Sequence, residues 1–562
     1  MRRIWLDSYP PGVPAEIAPL AHASLCDLFE RSCARYRNRP AFSCLGATLA
    51  FGELERQAGD FAAYLQKEAG MRRGERIAIM LPNLLQYPVA LFGALCAGLV
   101  VVNVNPLYTA AELAQQLADS GARAIVVLES FAGTLQQALG ASALRHVITT
   151  RPGDLFPAPR RWAVNLAAKY VKRLVPPWRI DGAVSLRLAL ARGRRHAPNP
   201  EHLGPEDIAF LQYTGGTTGS PKGAMLTHGN VLANVAQTDA WGRATLREGQ
   251  EVVVTALPLY HVFALTANLL LFVALGGHNL LIPDPRDLSA MLKELRRIRF
   301  TAMTGVNTLY RALLDAPDFA RVCAANRGAL KLAVAGGMAV QPEVAERWQH
   351  ATGVPLVEGY GLTEASPNVC ANPFAAREFS GKLGLPLPST EVSILDEHAA
   401  EVPLGEQGEI CVRGPQVMRG YWNRPQESAQ AFTPQGWLRT GDIGRMDARG
   451  YLEFVDRKKD VIVVSGFKAY PTEIEEVALR CSGVLDAGAV GVPDAHSGEA
   501  VALFAVRSDP ALGADTLRRH CAQYLTGYKR PAHIEFRSAL PKNPLGKVLR
   551  RRLREEWTSA HG

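Results

Sequence analysis

The sequence predicts an α/β protein: a large N-terminal domain of α/β layers, a small β-rich subdomain, and a small α+β C-terminal domain. Three observations carry this reading. Short apolar runs alternate with amphipathic stretches from residue 24 to residue 335. From residue 389 the texture changes to short strands separated by Gly/Pro turns. The charged run Asp456-Arg457-Lys458-Lys459-Asp460 then precedes a second stretch of alternation, so a domain boundary is placed there. With 562 residues the chain exceeds the usual size of one core, which calls for at least two domains.

Taken in order, residues 24–36 have helical apolar spacing, 41–43 and 48–51 read as short strands, and 53–68 as an amphipathic helix. Residues 76–80, 100–104 and 124–128 are strands, separated by helices at 84–97 and 110–119. Their near-continuous apolar composition suits parallel sheets covered on both faces. Residues 160–179 interleave Arg160, Arg161, Lys169, Lys172 and Arg173 with Trp162, Leu166, Tyr170, Val171 and Leu174. A basic helix with bulky apolar residues can lie on an anionic bilayer, and an ordinary docked surface helix is the alternative. Alternation resumes with strands at 252–256, 280–282, 302–305 and 332–335 and helices at 264–275 and 288–296. The β-rich part has strands at 391–395, 408–412 and 451–455. The last part reads helix 471–480, strands 487–492 and 500–506, and helix 516–524.

Hydrophobic residues make up 48% and charged residues 20%, as in ordinary globular chains. The net charge of +9 is too diffuse to argue for a nucleic-acid partner. Nine scattered cysteines show no C-x-x-C pair and no Cys/His metal spacing, so a reduced, cytoplasmic protein is expected. Asp7 and the Pro10-Pro11 pair interrupt any apolar leader. The longest apolar run, 89–102, is short for a membrane span and reads as a buried helix entering a buried strand.

One loop organises the chain: Tyr213-Thr214-Gly215-Gly216-Thr217-Thr218-Gly219-Ser220-Pro221-Lys222-Gly223, between two apolar runs. Its glycines let backbone N–H groups approach a ligand, its hydroxyls donate, and Lys222 adds a cation, which together suit a polyphosphate. It is not a Walker loop, because glycine follows Lys222 and the spacing differs. Other stretches could converge on a nucleotide. Glu358-Gly359-Tyr360-Gly361-Leu362-Thr363-Glu364 offers an aromatic face, a hydroxyl and a carboxylate for Mg²⁺. Asp442 sits at a tight turn suited to ribose hydroxyls, with Arg457 nearby in sequence, and Lys547 lies in a turn-rich segment near the C-terminus.

In order and type these stretches resemble the AMP-forming acyl-adenylate ligase (ANL) superfamily, with bacterial long-chain fatty-acid–CoA ligases nearest. The resemblance runs from Trp5 to Arg554, through LQYTGGTTGSPKGAMLTH, LPLYHVFAL, GVNTLYRALL, EGYGLTE, TGDIG, VDRKKDVIVVSGFKAYPTEIEE, LTGYKRP and LPKNPLGKVLRR. It implies an N-terminal adenylation domain over 1–456, a hinge over 457–460 at Lys459, and a mobile C-terminal domain over 461–562. It also implies residue roles. The 213–223 loop binds ATP phosphates, Thr217 and Glu364 position Mg²⁺, and Tyr360 with Gly361 and Thr363 faces Gly336-Gly337-Met338 across the adenine. Asp442 and Arg457 hold the ribose, Lys547 serves adenylation, Gly466 lines the pantetheine passage, and His261 falls at the acyl pocket, with a structural histidine as the alternative. Some fatty-acid relatives carry a gating tryptophan where this chain has Leu265.

The expected reaction is ATP-dependent activation of a medium- or long-chain fatty acid to its coenzyme A thioester, with loss of AMP and pyrophosphate. Adenylation of an aromatic acid or for a carrier-protein acceptor is the sibling reading; light-producing oxidation and a non-catalytic nucleotide sensor are the others. Fatty acid, ATP, Mg²⁺ and coenzyme A are the expected ligands. Peripheral contact with the inner face of an anionic membrane and a homodimer are carried as expectations, and the charged cluster at 456–460 is expected to stay solvated while its backbone swings.

Overall fold

The structure, a computed structural model, describes residues 3–214, 221–494, 496–543 and 546–561. The chain divides into two compact units, one of residues 9–391 with 413–432, the other of residues 3–8 with 392–412 and the described residues from 433 on. The 457–460 segment therefore lies within the second unit, which also takes in the β-rich part.

The first unit holds two large sheets. One runs Val184–Ser185, His146–Thr150, Ala124–Leu128, Arg76–Met80, Val100–Asn103, Ile208–Thr214, Lys222–Thr227. Its neighbours are parallel except the last pair, which closes as an antiparallel hairpin with Thr214 opposite Lys222. The central strands are fully buried, which explains their unbroken apolar sequence. The other sheet has nine strands, its parallel centre including Val252–Thr255, Ala302–Gly305, Leu332–Gly336 and Leu356–Gly361. Asn368–Ala371 and Leu385–Pro386 extend that end antiparallel.

The second unit has the sheet Glu391–Leu395, Gly408–Arg413, Leu438–Met446, Leu452–Arg457, and a second built on the long hairpin Val484–Asp494 and Gly498–Arg507. The helix Pro471–Leu479 packs Ile474, Val477 and Ala478 into its core.

Three expectations change. The helix expected over 264–275 is Val262–Ala264, a widened π turn Leu265–Leu270, and Leu271–Ala274. Within it the buried Thr266 hydroxyl donates to the Ser366 carbonyl and Asn268 Nδ2 to Thr255 Oγ1. The basic helix expected over 160–179 spans Arg160–Leu166 and a π turn Ala167–Val171; it docks through the buried Ala168, Asn165 to Asp154 and Gly153, and Arg160 to the Gly46 carbonyl, and leaves Trp162, Leu166, Tyr170, Val171 and Leu174 exposed. The cysteines are not all free, because Cys26 and Cys96 are joined. Among the described residues no helix is long and apolar enough to cross a membrane.

Candidate functional site

The first unit gathers one group of the expected residues. Gly215, Gly216, Thr217, Thr218, Gly219 and Ser220 lie outside the described residues, so the hairpin fixes only the ends of the loop. Pro221 and Lys222 re-enter at the start of the return strand. Residues 419–422 run along that strand's free edge, with Met225 N donating to the Gly420 carbonyl and Trp422 N to the Gly223 carbonyl. This places Tyr421 beside Lys222, whose Nζ lies 5.4 Å from the ring centroid. The Tyr421 hydroxyl donates to Glu364 Oε1 at 2.7 Å. Burial and that carboxylate both hold the phenol above its ordinary range. Lys222, Tyr421 and Glu364 thus form one ordered group.

Tyr213 is turned away from this group. Its hydroxyl donates to Asp119 Oδ2 at 2.6 Å and its ring packs into the sheet's core, so only its backbone faces the loop. Gly223 carries no side chain because a Cβ there would sit 3.1 Å from the Tyr213 ring.

The strand Leu356–Gly361 carries Tyr360 and leads into the short helix Thr363–Ala365 that holds Thr363 and Glu364. A Cβ on Gly361 would lie 2.2 Å from the Pro367 carbonyl oxygen, so only glycine fits that close approach. The neighbouring strand ends in Gly336, against Phe263, and continues into Gly337 at φ +79° and Met338. Glu358 lies on the same strand as Tyr360, buried, with Val340 N donating to Oε1 and, among the described residues, no hydrogen-bond partner for Oε2. Burial pushes its carboxyl up to about 7.

His261 caps the turn Val262–Ala264, Phe263 N donating to its Nδ1 at 3.4 Å, and burial lowers the ring to about 4, so it is neutral at physiological pH. Leu265 is fully buried one turn on.

The second unit gathers the other group. Asp442 and Arg457 are cross-strand partners, and Arg457 Nε meets Asp442 Oδ1 at 2.9 Å with Asp442 only 2% exposed. Next to them the buried Glu409 takes Arg439 at 2.9 Å, Lys458 at 3.0 Å and the Gly441 N–H at 3.1 Å. Lys547 is anchored through Asn543, whose Oδ1 accepts from Lys547 N. Burial, and then the Arg457 charge, lower the Lys547 ammonium to about 8, against the opposing pull of Asp442. Asp442, Arg457 and Lys547 therefore share one electrostatic neighbourhood. Lys459 belongs to it too: it reaches the surface, but the protein packed around it removes part of its solvation and lowers its ammonium, against the pull of Asp460.

The solvated charged cluster is corrected. Lys458 and Lys459 are exposed, but Asp456 is fully buried and held by Arg550, which also binds Asp460 and Glu475. Burying a lone carboxylate is costly, so Asp456 had to find this partner. Gly466 is exposed at φ +84° in the turn between Ile462–Val464 and Phe467–Ala469, with nothing within 4 Å of a notional Cβ.

Sequence reading missed Tyr421, Glu358, Glu409 and Arg550. Tyr421 left a faint signal, an aromatic pair between Gly420 and Pro425; the others look like ordinary surface charges until their burial is seen.

A family model described as AMP-binding enzyme matches residues 29–422, and a model of the AMP-binding enzyme C-terminal domain matches residues 473–547. The chain is 53% identical to a long-chain-fatty-acid–CoA ligase of Escherichia coli, over 99% of this chain and 98% of that one. It is 49% identical to the enzyme of the same name from Haemophilus influenzae, over 99% of both. Among solved structures, ATP-bound MatB of Rhodopseudomonas palustris superposes with a TM-score of 0.81 at 28% identity, covering 96% of this chain and all of that one.

Proposed function

The chain belongs to the AMP-binding enzyme family, and from that membership we infer that it is an ATP-dependent fatty-acid–CoA ligase. It joins a medium- or long-chain acid to coenzyme A through an acyl-adenylate and releases AMP and pyrophosphate. The observation that carries this reading is end-to-end likeness at 53% identity to a ligase named for that reaction.

The chemistry follows from the charges. A carboxylate is a poor acylating agent because its oxygen leaves badly; joined to the α-phosphorus of ATP, that oxygen leaves with AMP. Carboxylate and phosphate are both anionic, so their approach needs cations. We assign this to Lys547 on the α-phosphate and acyl carboxylate and to Lys222 on the phosphates. Glu364 offers a hard oxygen ligand, Tyr421 fixing its other oxygen, and so fits Mg²⁺; Thr217 is the second proposed ligand. Bound there, Mg²⁺ would neutralise phosphate charge. Asp442, buried and held by Arg457, is preorganised to accept from ribose hydroxyls. Tyr360 and the 336–338 turn are assigned to the adenine, and His261 and Leu265 to the acyl pocket. The thiol of coenzyme A then attacks the adenylate past Gly466, after a swing at Lys459 of residues 461–562 against 1–456.

The test is pyrophosphate release across a panel of acids, with and without coenzyme A. Each buried methylene contributes about 0.8 kcal/mol, so long-chain acids should exceed acetate by orders of magnitude. Equal turnover of acetate, or preference for an aromatic acid, would sink the reading.

A second reading concerns location. We place the enzyme in the cytoplasm, visiting the inner face of the membrane through residues 160–174. Trp162 at 60%, Tyr170 at 64% and Val171 at 79% exposure stand among Arg160, Arg161, Lys169, Lys172 and Arg173, as a headgroup-level anchor requires. Changing Lys169, Lys172 and Arg173 to Glu should weaken co-sedimentation with anionic liposomes, and unchanged sedimentation would remove the reading.

A further inference from the structure

A second chemically distinctive site lies in the first unit, apart from the nucleotide and acyl residues. Cys26, in the first turn of the helix Leu25–Tyr36, is bonded to Cys96, the last residue of the helix Gln86–Cys96. Their Cα atoms are 5.2 Å apart, inside the range a disulfide spans without moving backbone. The other seven cysteines are free, six of them buried in the first or second unit. The helices meet tightly here, with the Phe29 and Phe92 rings stacked at 4.0 Å.

Three features separate this pair from an inert buried bridge. Both cysteines are half-buried, and they line the wall of an open cavity of about 1160 Å³. That volume admits a peptide-sized ligand. The wall is mostly acidic, Asp27, Glu30, Glu55 and Glu201 standing against Arg31, which is itself bonded to Asp27, so it offers carboxylates to the ammonium group of a small peptide. We propose that Cys26 and Cys96 are a reversible thiol–disulfide pair that exchanges with a small peptide thiol of the glutathione class through this cavity.

The exchange balances. On oxidation, one protein thiolate attacks a sulfur of the small disulfide RSSR and expels RS⁻, leaving a mixed disulfide. The other protein thiolate attacks the protein sulfur of that bond and expels the second RS⁻. Two protein thiols are oxidised, RSSR is reduced to two RSH, and the two thiol protons end on the two leaving thiolates.

The bridge spans a sequence separation of 70 and braces two elements tied to the site residues. Beside Cys26, Leu25 N donates to Nδ1 of His228, which opens the helix following the strand Lys222–Thr227. At the other end of the second helix, the Tyr87 hydroxyl bonds the Leu259 carbonyl, two residues before His261. Closing so long a loop restricts the unfolded chain, so the oxidised enzyme should be the more heat-resistant form.

The experiment equilibrates the full-length enzyme in glutathione buffers of set ratio, quenches with acid, and counts thiols with a maleimide–polyethylene glycol under denaturing conditions. The expected result is a shift of two labels between oxidised and reduced buffers, with peptide mapping of the wild type placing the bond between Cys26 and Cys96. The melting midpoint should fall by a few degrees on reduction, roughly as loop entropy predicts. C26S/C96S should show neither change. A label count that no glutathione ratio alters overturns the proposal, whether the pair stays closed or stays open. So does a bond mapped to other cysteines, or stoichiometric zinc on Cys26, Cys96 and Glu30 that blocks labelling of the reduced protein.

Discussion

Two strands of this molecule bury carboxylates in opposite ways. On the Leu438–Met446 and Leu452–Arg457 hairpin and the strand Gly408–Arg413 paired with it, every buried acid has a cation: Asp442 has Arg457, Glu409 has Arg439 and Lys458, and Asp456 has Arg550. On the Leu356–Gly361 strand, Glu358 has one backbone N–H, and among the described residues no cation pairs with it and one of its oxygens is unpartnered. The acids around the hairpin each meet a cation, whereas Glu358 answers burial by holding its proton to higher pH. The difference teaches what each region tolerates. The hairpin depends on a complete network, so losing one cation is severe. The strand depends on pH.

The sharpest way to break the comparison is at Arg550, which joins Asp456, Asp460 and Glu475 and is itself 13% exposed. Arg550→Leu leaves Asp456 buried and uncompensated, and breaking a buried pair in this way costs about 3–5 kcal/mol. Denaturant unfolding should show the loss, and adding Asp456→Asn should recover part of it by removing the stranded charge. A cost below about 1 kcal/mol, the range of an exposed pair, would show that the hairpin does not rely on its network.

Lys547 gives the next largest effect, in rate rather than stability. Lys547→Ala should slow pyrophosphate release on the order of 10²-fold while sparing thioester formation from supplied acyl-adenylate. In the free enzyme the ammonium is charged below about 8 and neutral above it. The kcat/KM for adenylation should therefore fall as pH rises through that value. Lys547→Arg, charged throughout, should flatten that limb. Equal damage to both half-reactions would contradict the proposed division of labour between Lys547 and Gly466.

The sequence was most legible where local pattern and burial agree. The strand Ala124–Leu128 is apolar throughout and the strand Arg76–Met80 is apolar after its opening arginine, both are fully or almost fully buried, and their bounds were read without error. Asp442 was singled out from its local sequence, but the turn expected there is not one: Gly441, at φ +71°, and Asp442 lie inside the strand Leu438–Met446, where the register against Gly408–Arg413 shifts. Tyr421 and Glu364 were not readable as a pair, since they meet only when residues 419–422 lie along the strand Lys222–Thr227. Arg550 was unreadable for the same reason: its partners lie between 75 and 94 residues away. The break in the helix at 265–270 follows from the tertiary bonds of Thr266 and Asn268, which no apolar periodicity encodes.

The smallest effect tests Glu358 directly. The carboxyl is raised from 4.5 to about 7 in the folded protein. Between those values the folded protein keeps a proton that the unfolded chain has released, so rising pH withdraws stability across this window. Above about 7 the full penalty is present; below 4.5 there is none. Glu358→Gln keeps an oxygen for the Val340 N–H and cannot ionise. The variant should gain about 1–3 kcal/mol over the parent at pH 8 and much less at pH 5, as read from denaturant midpoints at the two values. A gain of equal size at both would mean that packing, not ionisation, sets the cost of burying Glu358. The same pair of measurements on Glu409→Gln should show a loss at both pH values, because there the charge is the attractive partner of Arg439 and Lys458.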